Sequence, residues 1–460
     1  MRFSKLLVGF SITSLLLLGL GCKNSTPAVG GTNTQRKTLE LWTVYDDVDA
    51  LNAVITNYKA ARPYLAVNIR QLRPEDLYNR LVETLAEDRG PDIISIDNRS
   101  LGKYVSKLTT LPPSVQDTTV KVIEGQFSTQ TVVSTKTIPT VTLDQLDREY
   151  IPVVKQDVIR GGRIYGLPIS MDTMAIYYNK DLLDRAGIAE PPKTWEEFQE
   201  AVRKLTKFDR VSGKIVQSGA ALGAAGNVPW NDDLLYILFK QSNITFVDRS
   251  GRAVFNGASN SREETPTMQV MSFYTDFADP TRDTYSWNEE MPNALDGFVT
   301  GKIAVFFGYQ FHNQTIKARA PQLNYVIIPL LQLKPDLQAN VANYSILTVP
   351  AKSKQANEAW ALVAHLTHSA ATKDYLDRSG RLTALRAYIN AQKENIVLAP
   401  FVADLLVATS WYRGNNYEVA AGAVKDMIRE WLRAPANVEN LGQYRQSVLN
   451  RAAARINQTL

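Results

Sequence analysis

Residues 161–206 constrain the fold of this 460-residue chain more than any other segment, because they carry a dense series of local structural signals. Residues 165–170 and 173–178 predict two extended segments. Pro168 lies within the first of them and fixes a bend in the backbone. The start of the block therefore contributes strands.

Helical signals follow immediately. Asn179 is placed to cap a short helix that continues to Ala186 and ends at Gly187. Thr194 and Glu197 have the spacing of a capping box. Apolar residues then recur at helical intervals at Trp195, Phe198, Val202 and Leu205. Strands followed by helices predict the α/β class.

The chain before this block has the same alternation. A strand is predicted from residue 38, a helix over 49–61, a strand over 65–69, a helix over 74–88 and a short buried strand over 91–97. This order is typical of a doubly wound α/β fold.

Residues 112–145 interrupt this alternation of strands and helices, because they are rich in Thr, Val and Ser and show little helical periodicity. They predict an insertion, either an irregular excursion or a β-ribbon. Later in the chain, apolar spacing predicts a helix over 356–369 and two amphipathic helices within 418–456.

The N-terminus has the pattern of a targeting signal. Arg2 and Lys5 precede an apolar run over 6–18, and Cys22 follows as the one cysteine of the chain. We expect residues 1–21 to be a lipoprotein signal peptide and Cys22 to be lipidated. The alternative is an ordinary secretory signal with a chance cysteine. Residues 22–37 are polar and predict a flexible tether, so we expect a membrane-anchored, extracytoplasmic protein with no spanning helix.

Composition and motifs exclude several functions. The formal charge of +5 comes from scattered lysines and arginines, so nucleic acid is not an expected partner. Residues 297–302 resemble a phosphate loop but lack its Ser or Thr, and predict a turn into a strand. His365 and His368 have no third ligand nearby in sequence, so neither a metal nor another cofactor is expected. We expect no catalytic residues, although a glycosidase with paired carboxylates stays open.

Several segments occur together in the order found in one known family. In addition to 161–206, these are LELWTVYDDVDAL, RGPDIISIDNRS, FVTGKIAVFFGYQ, NYSILTVPAKSKQANEAWALVAHLT and TKDYLDRSGRLTALRAYI. The chain thereby resembles the extracellular solute-binding proteins of the maltose-binding type, the substrate receptors of ABC importers.

The resemblance implies a two-lobed α/β structure of the periplasmic-binding-protein type II kind. The first lobe would comprise 38–169 and 341–389, and the second 170–340 and 390–460. Three hinge crossings would join them, near 168–172, near 339–343 and near Asn390.

The resemblance also implies a function. The expected protein is a monomeric receptor that closes on a sugar or oligosaccharide and delivers it to the membrane subunits of an ABC permease. Two alternatives stay open: binding of a non-sugar solute such as a peptide or polyamine, and a surface enzyme or adhesin acting on glycans.

Polar candidates for ligand contact follow predicted strands, where open α/β sheets bind ligands. Asp46 and Asp47 follow the first strand, with a solvated turn as the alternative. Asp97 and Arg99 follow the strand over 91–97, with a salt bridge within the loop as the alternative. Asp172 lies at the first crossing, where the resemblance implies an acidic residue that touches ligand.

The aromatic candidates offer flat faces for stacking on a sugar, and Trp230 and Trp411 lie in predicted loops beside Gly, Asn or Pro. For each candidate, burial in the core is the alternative. The family often has Trp where this chain has Gln310, which leaves the identity of the stacking surface open. The candidates are Trp230, Trp287, Tyr309, Phe311, Trp411 and Tyr412.

Overall fold

The computed structural model describes residues 35–124, 129–248, 250–257, 264–435, 437 and 439–460. The expected signal peptide, Cys22 and most of the expected tether lie outside the described residues. Within the described ranges, no helix combines the length and the apolar character needed to cross a membrane.

The strands are β1 Lys37–Thr43, β2 Leu65–Gln71, β3 Ile93–Asp97, β4 Ser114–Glu124, β5 Thr129–Pro139, β6 Ile159–Arg160, β7 Arg163–Ile164, β8 Ser170–Asn179, β9 Lys207–Phe208, β10 Ile215–Ala220, β11 Ile303–Tyr309, β12 Tyr325–Pro329, β13 Asn340–Asn343, β14 Ser345–Thr348, β15 Leu382–Thr383 and β16 Ala408–Thr409.

The helices are α1 Val48–Ala60, α2 Pro74–Ala86, α3 Leu101–Tyr104, α4 Leu143–Glu149, α5 Pro152–Val158, α6 Lys180–Arg185, α7 Trp195–Leu205, α8 Asn231–Gln241, α9 Pro266–Asp276, α10 Ala294–Val299, α11 Gln310–Arg319, α12 Ala356–Thr367, α13 Ala370–Ser379, α14 Ile389–Lys393, α15 Ala399–Val402, α16 Tyr417–Leu432 and α17 Leu441–Asn457.

Two sheets form the centres of two lobes. The first sheet has the order β14-β3-β1-β2, with β1 parallel to both β2 and β3. The second has the order β16-β13-β8-β11-β10-β9, and β12 and β15 also pair with β8. Every residue of β8 is buried, which agrees with its apolar sequence and its central position.

The chain passes between the sheets at three places. It first passes from Leu167, which pairs with Leu347, into β8. It returns at Tyr344, between β13 on the second sheet and β14 on the first. The third passage lies between α13, which packs on α1, and β15, which pairs with Met171 of β8. Beyond β15, Leu385 still bridges Tyr150, so contacts with the first lobe continue toward the region near Asn390 where the third crossing is expected from the sequence.

The block over 161–206 follows its prediction with one correction. Residues 165–169 do not form a strand, because after the Leu167–Leu347 bridge Pro168 has no N–H with which to continue a ladder. Asn179 caps α6 as predicted, by accepting from Leu182 N at 3.1 Å. The predicted capping box is half formed, since the Glu197 carboxylate accepts from Lys193 N rather than from the cap residue.

Residues 112–145 contain the β-ribbon, which was one of the two alternatives. β4 and β5 pair antiparallel from Ser114 and Pro139 to Glu124 and Thr129. The ribbon packs on α12 and is fixed to α1 by the Arg62–Asp117 ion pair, in which Nη2 and Oδ2 are 2.6 Å apart. It is an addition to the first lobe.

Candidate functional site

The ends of four strands define a cleft between the lobes. In the first lobe, the neighbouring parallel strands β1 and β3 lead to the loops that carry Tyr45 and Arg99. In the second lobe, the parallel pair β10 and β11 leads to Trp230 and to α11. Because parallel strands end at the same edge of a sheet, each lobe presents these loops on one side.

Arg99, which is buried, is the centre of the polar network that joins these loops. Its guanidinium pairs with Asp97 through Nη2 and Oδ2 at 2.9 Å, and with Asp233 of the other lobe through Nη1 and Oδ2 at 3.1 Å. Nη1 also donates to the Tyr417 hydroxyl at 2.9 Å. The predicted salt bridge within the loop is therefore present, but it is part of a larger network that spans both lobes.

Aromatic rings surround the guanidinium. Its carbon lies 4.4 Å from the Tyr417 ring centre and 5.3 Å from that of Trp230. Trp230 meets Tyr309 edge to face at 5.3 Å and Phe311 at 6.3 Å. Trp230 and Phe311 are half-buried, so part of each side chain is accessible to solvent. The sequence analysis chose these three aromatic residues, and the structure brings them together.

Trp230 has an unusual backbone conformation. Its φ of 59° and ψ of 30° lie in the left-handed region, which a bulky side chain rarely occupies. Asn231 stabilises this turn by donating from its side chain to the carbonyl oxygens of Ala225 and Val228, each at 2.9 Å. Such strain costs on the order of 1–2 kcal/mol and is concentrated at functional sites.

Asp233 connects the aromatic and charged parts of the cleft. Its Oδ2 accepts from the Tyr309 hydroxyl at 2.6 Å, and its Oδ1 accepts from Trp411 Nε1 at 3.1 Å. Burial raises the pKa of Asp233, the Arg99 charge opposes this rise, and the Asp232 carboxylate adds to it. Trp411 thus lies behind the cleft and supports Asp233, with its own ring buried.

Asp172 lies beneath the second lobe's aromatic residues. Its carboxylate accepts from the backbone N–H groups of Gln310 at 2.9 Å and Phe311 at 3.2 Å, and so caps the start of α11. Burial raises the pKa of Asp172 to about 7, although the hydrogen bonds from the two N–H groups lower this pKa in part. Asp172 thereby positions Phe311 in the cleft.

Asp46 and Asp47 have structural partners in the loop after β1. Asp46 is buried and accepts from the hydroxyl groups of Thr43, at 2.6 Å, and Ser95, so it connects the ends of β1 and β3. Asp47 caps α1 by accepting from Ala50 N at 2.9 Å. The loop is therefore internally bonded rather than a solvated turn.

Trp287 and Tyr412 support the loops of the cleft from behind. Trp287 is fully buried and donates from Nε1 to the Asn227 side chain at 2.9 Å. Asn227 lies three residues before Trp230 in the sequence. Tyr412 is also fully buried, and its hydroxyl accepts from Asn416 N at 2.7 Å, next to Tyr417. The structure does not bring either ring to the cleft surface.

Tyr45, Asp232, Asp233 and Tyr417 are cleft residues that sequence reasoning missed. Tyr45 is 49% exposed, and the charges of Asp97 and Arg99 both act on its hydroxyl. Each of the four is adjacent in sequence to a chosen candidate or within a few residues of one. The sequence signal that could have identified these four residues is therefore an aromatic or acidic residue close to a chosen loop residue.

His365 of α12 and His368, which directly follows that helix, have separate surroundings. His365 packs on the Tyr58 ring, with centres 4.6 Å apart, whereas His368 Nε2 lies 2.5 Å from Glu149 Oε2. No cluster of three or more metal-ligating side chains occurs in the part of the chain that the structure describes.

Comparison with known proteins gives consistent results. Residues 46–373 match the family model described as bacterial extracellular solute-binding protein. A binding protein of Brucella abortus is 23% identical over 275 residues, which are 58% of this chain and 61% of that protein. The chain thus matches somewhat less than two thirds of the length of these curated relatives.

Two solved structures share the fold over nearly their whole length. A cyclic α-maltosyl-1,6-maltose binding protein from Arthrobacter globiformis has a TM-score of 0.67 at 18% identity, covering 91% of this chain and 99% of its own. A solute-binding protein from Thermotoga lettingae, bound with α-D-tagatose, has a TM-score of 0.66 at 17% identity, covering 92% and 99%.

Proposed function

This chain belongs to the bacterial extracellular solute-binding proteins, and on this premise we propose that it is a sugar receptor of an ABC importer. It binds a sugar or oligosaccharide between its lobes, closes by hinge motion and delivers the ligand to a membrane permease. No chemical step is needed, so we propose a binding protein rather than an enzyme.

The observation that carries this proposal is the aromatic and charged lining of one interlobe cleft. Half-buried Trp230 and Phe311 and the half-exposed Tyr45 offer flat faces for the C–H surfaces of a sugar ring. The Asp97 carboxylate, whose side chain is 18% exposed, offers an acceptor suited to sugar hydroxyls, whereas Arg99 and Asp232 are buried and bonded to protein partners. A mostly apolar surface with a few convergent polar groups is the usual design of a small-molecule site.

The same lining argues against a polyamine as the ligand. An aromatic cage with carboxylates could hold an organic cation, but here the Arg99 guanidinium already occupies the position between Trp230, Tyr417 and Asp233. The names of relatives support the sugar assignment, since one from Bacillus subtilis is an arabinooligosaccharide-binding protein, 28% identical over 103 residues.

Hinge closure follows from the connections between the sheets. β8 continues from the first passage into the second lobe, and β13 and β14 cross in the opposite direction around Tyr344. Ligand contacts from both lobes favour the closed state by differential affinity. We further propose that the receptor acts as a monomer held to the membrane by lipidated Cys22, with lobes divided as the sequence analysis predicts.

A glycan panel tests this function. We expect at least one mono- or oligosaccharide to raise the unfolding temperature and to reduce the radius of gyration in small-angle scattering. Peptides and polyamines, measured in parallel, should do neither. If no glycan produces stabilisation or compaction, the sugar assignment is wrong.

A further inference from the structure

A second cavity, of about 700 Å³, lies between the lobes. Its wall includes Gln156 and Arg160 from the first lobe, and Tyr236 and Lys240 of α8 from the second. Residues 243–248 and 250–251 and the segment after β16 form much of the rest of the wall. Of the cleft residues described above, Trp411 alone lines this cavity. The cavity is thus distinct from the proposed sugar site and shares one side chain with it.

Three cations line this cavity, and one of them has a carboxylate partner. Arg413 pairs with the buried Asp157 through Nε and Oδ1 at 3.0 Å. Lys240 donates to the Thr409 hydroxyl at 3.0 Å, and Arg160 donates to backbone carbonyl oxygens. In the described part of the chain, no carboxylate lies at ion-pair distance from Lys240 or Arg160. Burial lowers the pKa of both groups and the Arg413 charge adds to this effect, although at Arg160 the nearby Asp157 carboxylate opposes it.

The hydrogen bonds of the cavity wall leave donors without acceptors. Lys240 and Tyr236 both bond to the Thr409 hydroxyl, the latter at 2.8 Å. A hydroxyl has one proton, so whichever of Thr409 and Tyr236 donates to the other, one O–H is left over. Lys240 has three N–H groups and uses one of them in the described contacts. The wall therefore presents an excess of donors.

Further positive charge near the cavity adds to this excess of hydrogen-bond donors. An adjoining cavity of about 500 Å³ shares Arg160 and Arg413 and adds Arg163. Leu460 lines both cavities, but its carboxylate forms no ion pair with these side chains in the described structure. Asp248, at the wall of the first cavity, accepts from Ser250 and Arg252 instead.

We propose that this cavity binds a small oxyanion of the phosphate or sulfate type. Such an ion supplies several acceptor oxygens and a negative charge, which match the unpaired donors and the half-buried cations. Because both lobes form the wall, the bound ion contacts both and biases the hinge. The site needs no sugar to be occupied.

Calorimetry with inorganic phosphate and sulfate, against chloride at equal ionic strength, tests the proposal on the full chain. We expect saturable binding of at least one oxyanion, weakened roughly tenfold or more in Lys240→Met by loss of a charge-assisted hydrogen bond. Lys204→Met, which removes an exposed lysine from α7, is the matched control and should bind as the wild type does. Absence of saturable binding, or equal binding by both variants, overturns the proposal.

Two further measurements show whether a loss of oxyanion binding has another cause. The unfolding midpoint of each variant shows whether it is folded, and Arg160→Met, which removes the second cation of the wall, should also weaken oxyanion binding. Unchanged binding by Arg160→Met would contradict the donor arrangement. If no glycan binds, the oxyanion proposal can still be tested, because oxyanion binding is measured without sugar.

Discussion

Arg99 and Asp233 form an ion pair across the cleft, with Arg99 Nη1 3.1 Å from Asp233 Oδ2. Their side chains are 2% and 0% exposed, so water screens this pair very little. Arg99 follows β3 of the first sheet, and Asp233 lies in the first turn of α8 in the second lobe. Separation of the lobes must therefore break or rearrange this contact.

Arg99→Met should destabilise the protein by about 3–5 kcal/mol, because it leaves buried carboxylates without their counter-charge. Denaturant unfolding measures the effect. Arg89→Met is the control, since the Arg89–Glu87 pair is exposed and its loss should cost less than about 1 kcal/mol. Equal losses in the two variants would contradict a dominant role for the buried pair.

Trp230→Ala should weaken sugar binding by roughly 30-fold or more, because a central tryptophan contact is typically worth at least about 2 kcal/mol. Titration with the sugar found in the glycan panel measures this. Trp287→Phe is the control, as its fully buried ring supports the loop from behind and should change stability more than affinity. If Trp287→Phe lost affinity as strongly, the cleft lining would need a different assignment.

Unfolding free energy should fall as pH rises from about 4 to about 6, in part through Asp404. Burial raises the pKa of Asp404 to about 6 from its ordinary 3.8, so the folded state holds the proton over this range. Stability from this proton is complete below pH 3.8 and is lost by pH 6. Asp404→Asn should flatten the decline by on the order of 1–3 kcal/mol, measured by urea unfolding across pH.

Asp248→Asn is the control for this pH dependence. Hydrogen bonds from Ser250 and Arg252 lower the pKa of this exposed carboxyl, so its contribution has the opposite sign and lies below pH 4. The decline between pH 4 and 6 should persist in this variant. A decline that persists unchanged in Asp404→Asn would show that other groups cause it.

Cys22→Ser should abolish lipid labelling and move the protein from the membrane to the soluble fraction of cells. Incorporation of radiolabelled palmitate and fractionation measure both effects. Asn24→Ser, two residues further along, should remain labelled and membrane-bound. If wild type and both variants are equally soluble and unlabelled, the signal is of the ordinary secretory type.

Sequence periodicity predicted most of the fold, because helices such as α1, α2 and α7 bury apolar residues on one face, and α1 and α7 also carry local side-chain caps. The extended segment predicted over 165–170 forms only a single bridge before β8 begins at Ser170, and the partner of Leu167 in that bridge is the distant Leu347. Local patterns cannot report such a partner.

The candidate site was predicted only in part, because local patterns likewise do not report contacts between distant segments. Strand-end position identified Arg99, and loop composition identified Trp230 and Phe311. The partner of Arg99 is 134 residues away in sequence, so no spacing rule indicates Asp233. Likewise, nothing local shows that the Asp172 carboxylate accepts from two N–H groups of α11.

The pairing of β8 has a consequence for how this molecule is made. β8 ends at Asn179, yet the strands that pair with it, β11, β12, β13 and β15, begin at Ile303 or later and extend to Thr383. Contacts so distant in sequence form slowly, because long loops must close first. A nascent chain emerging from the ribosome therefore holds β8 without its neighbours for well over a hundred residues, and the second lobe completes its sheet near the end of synthesis.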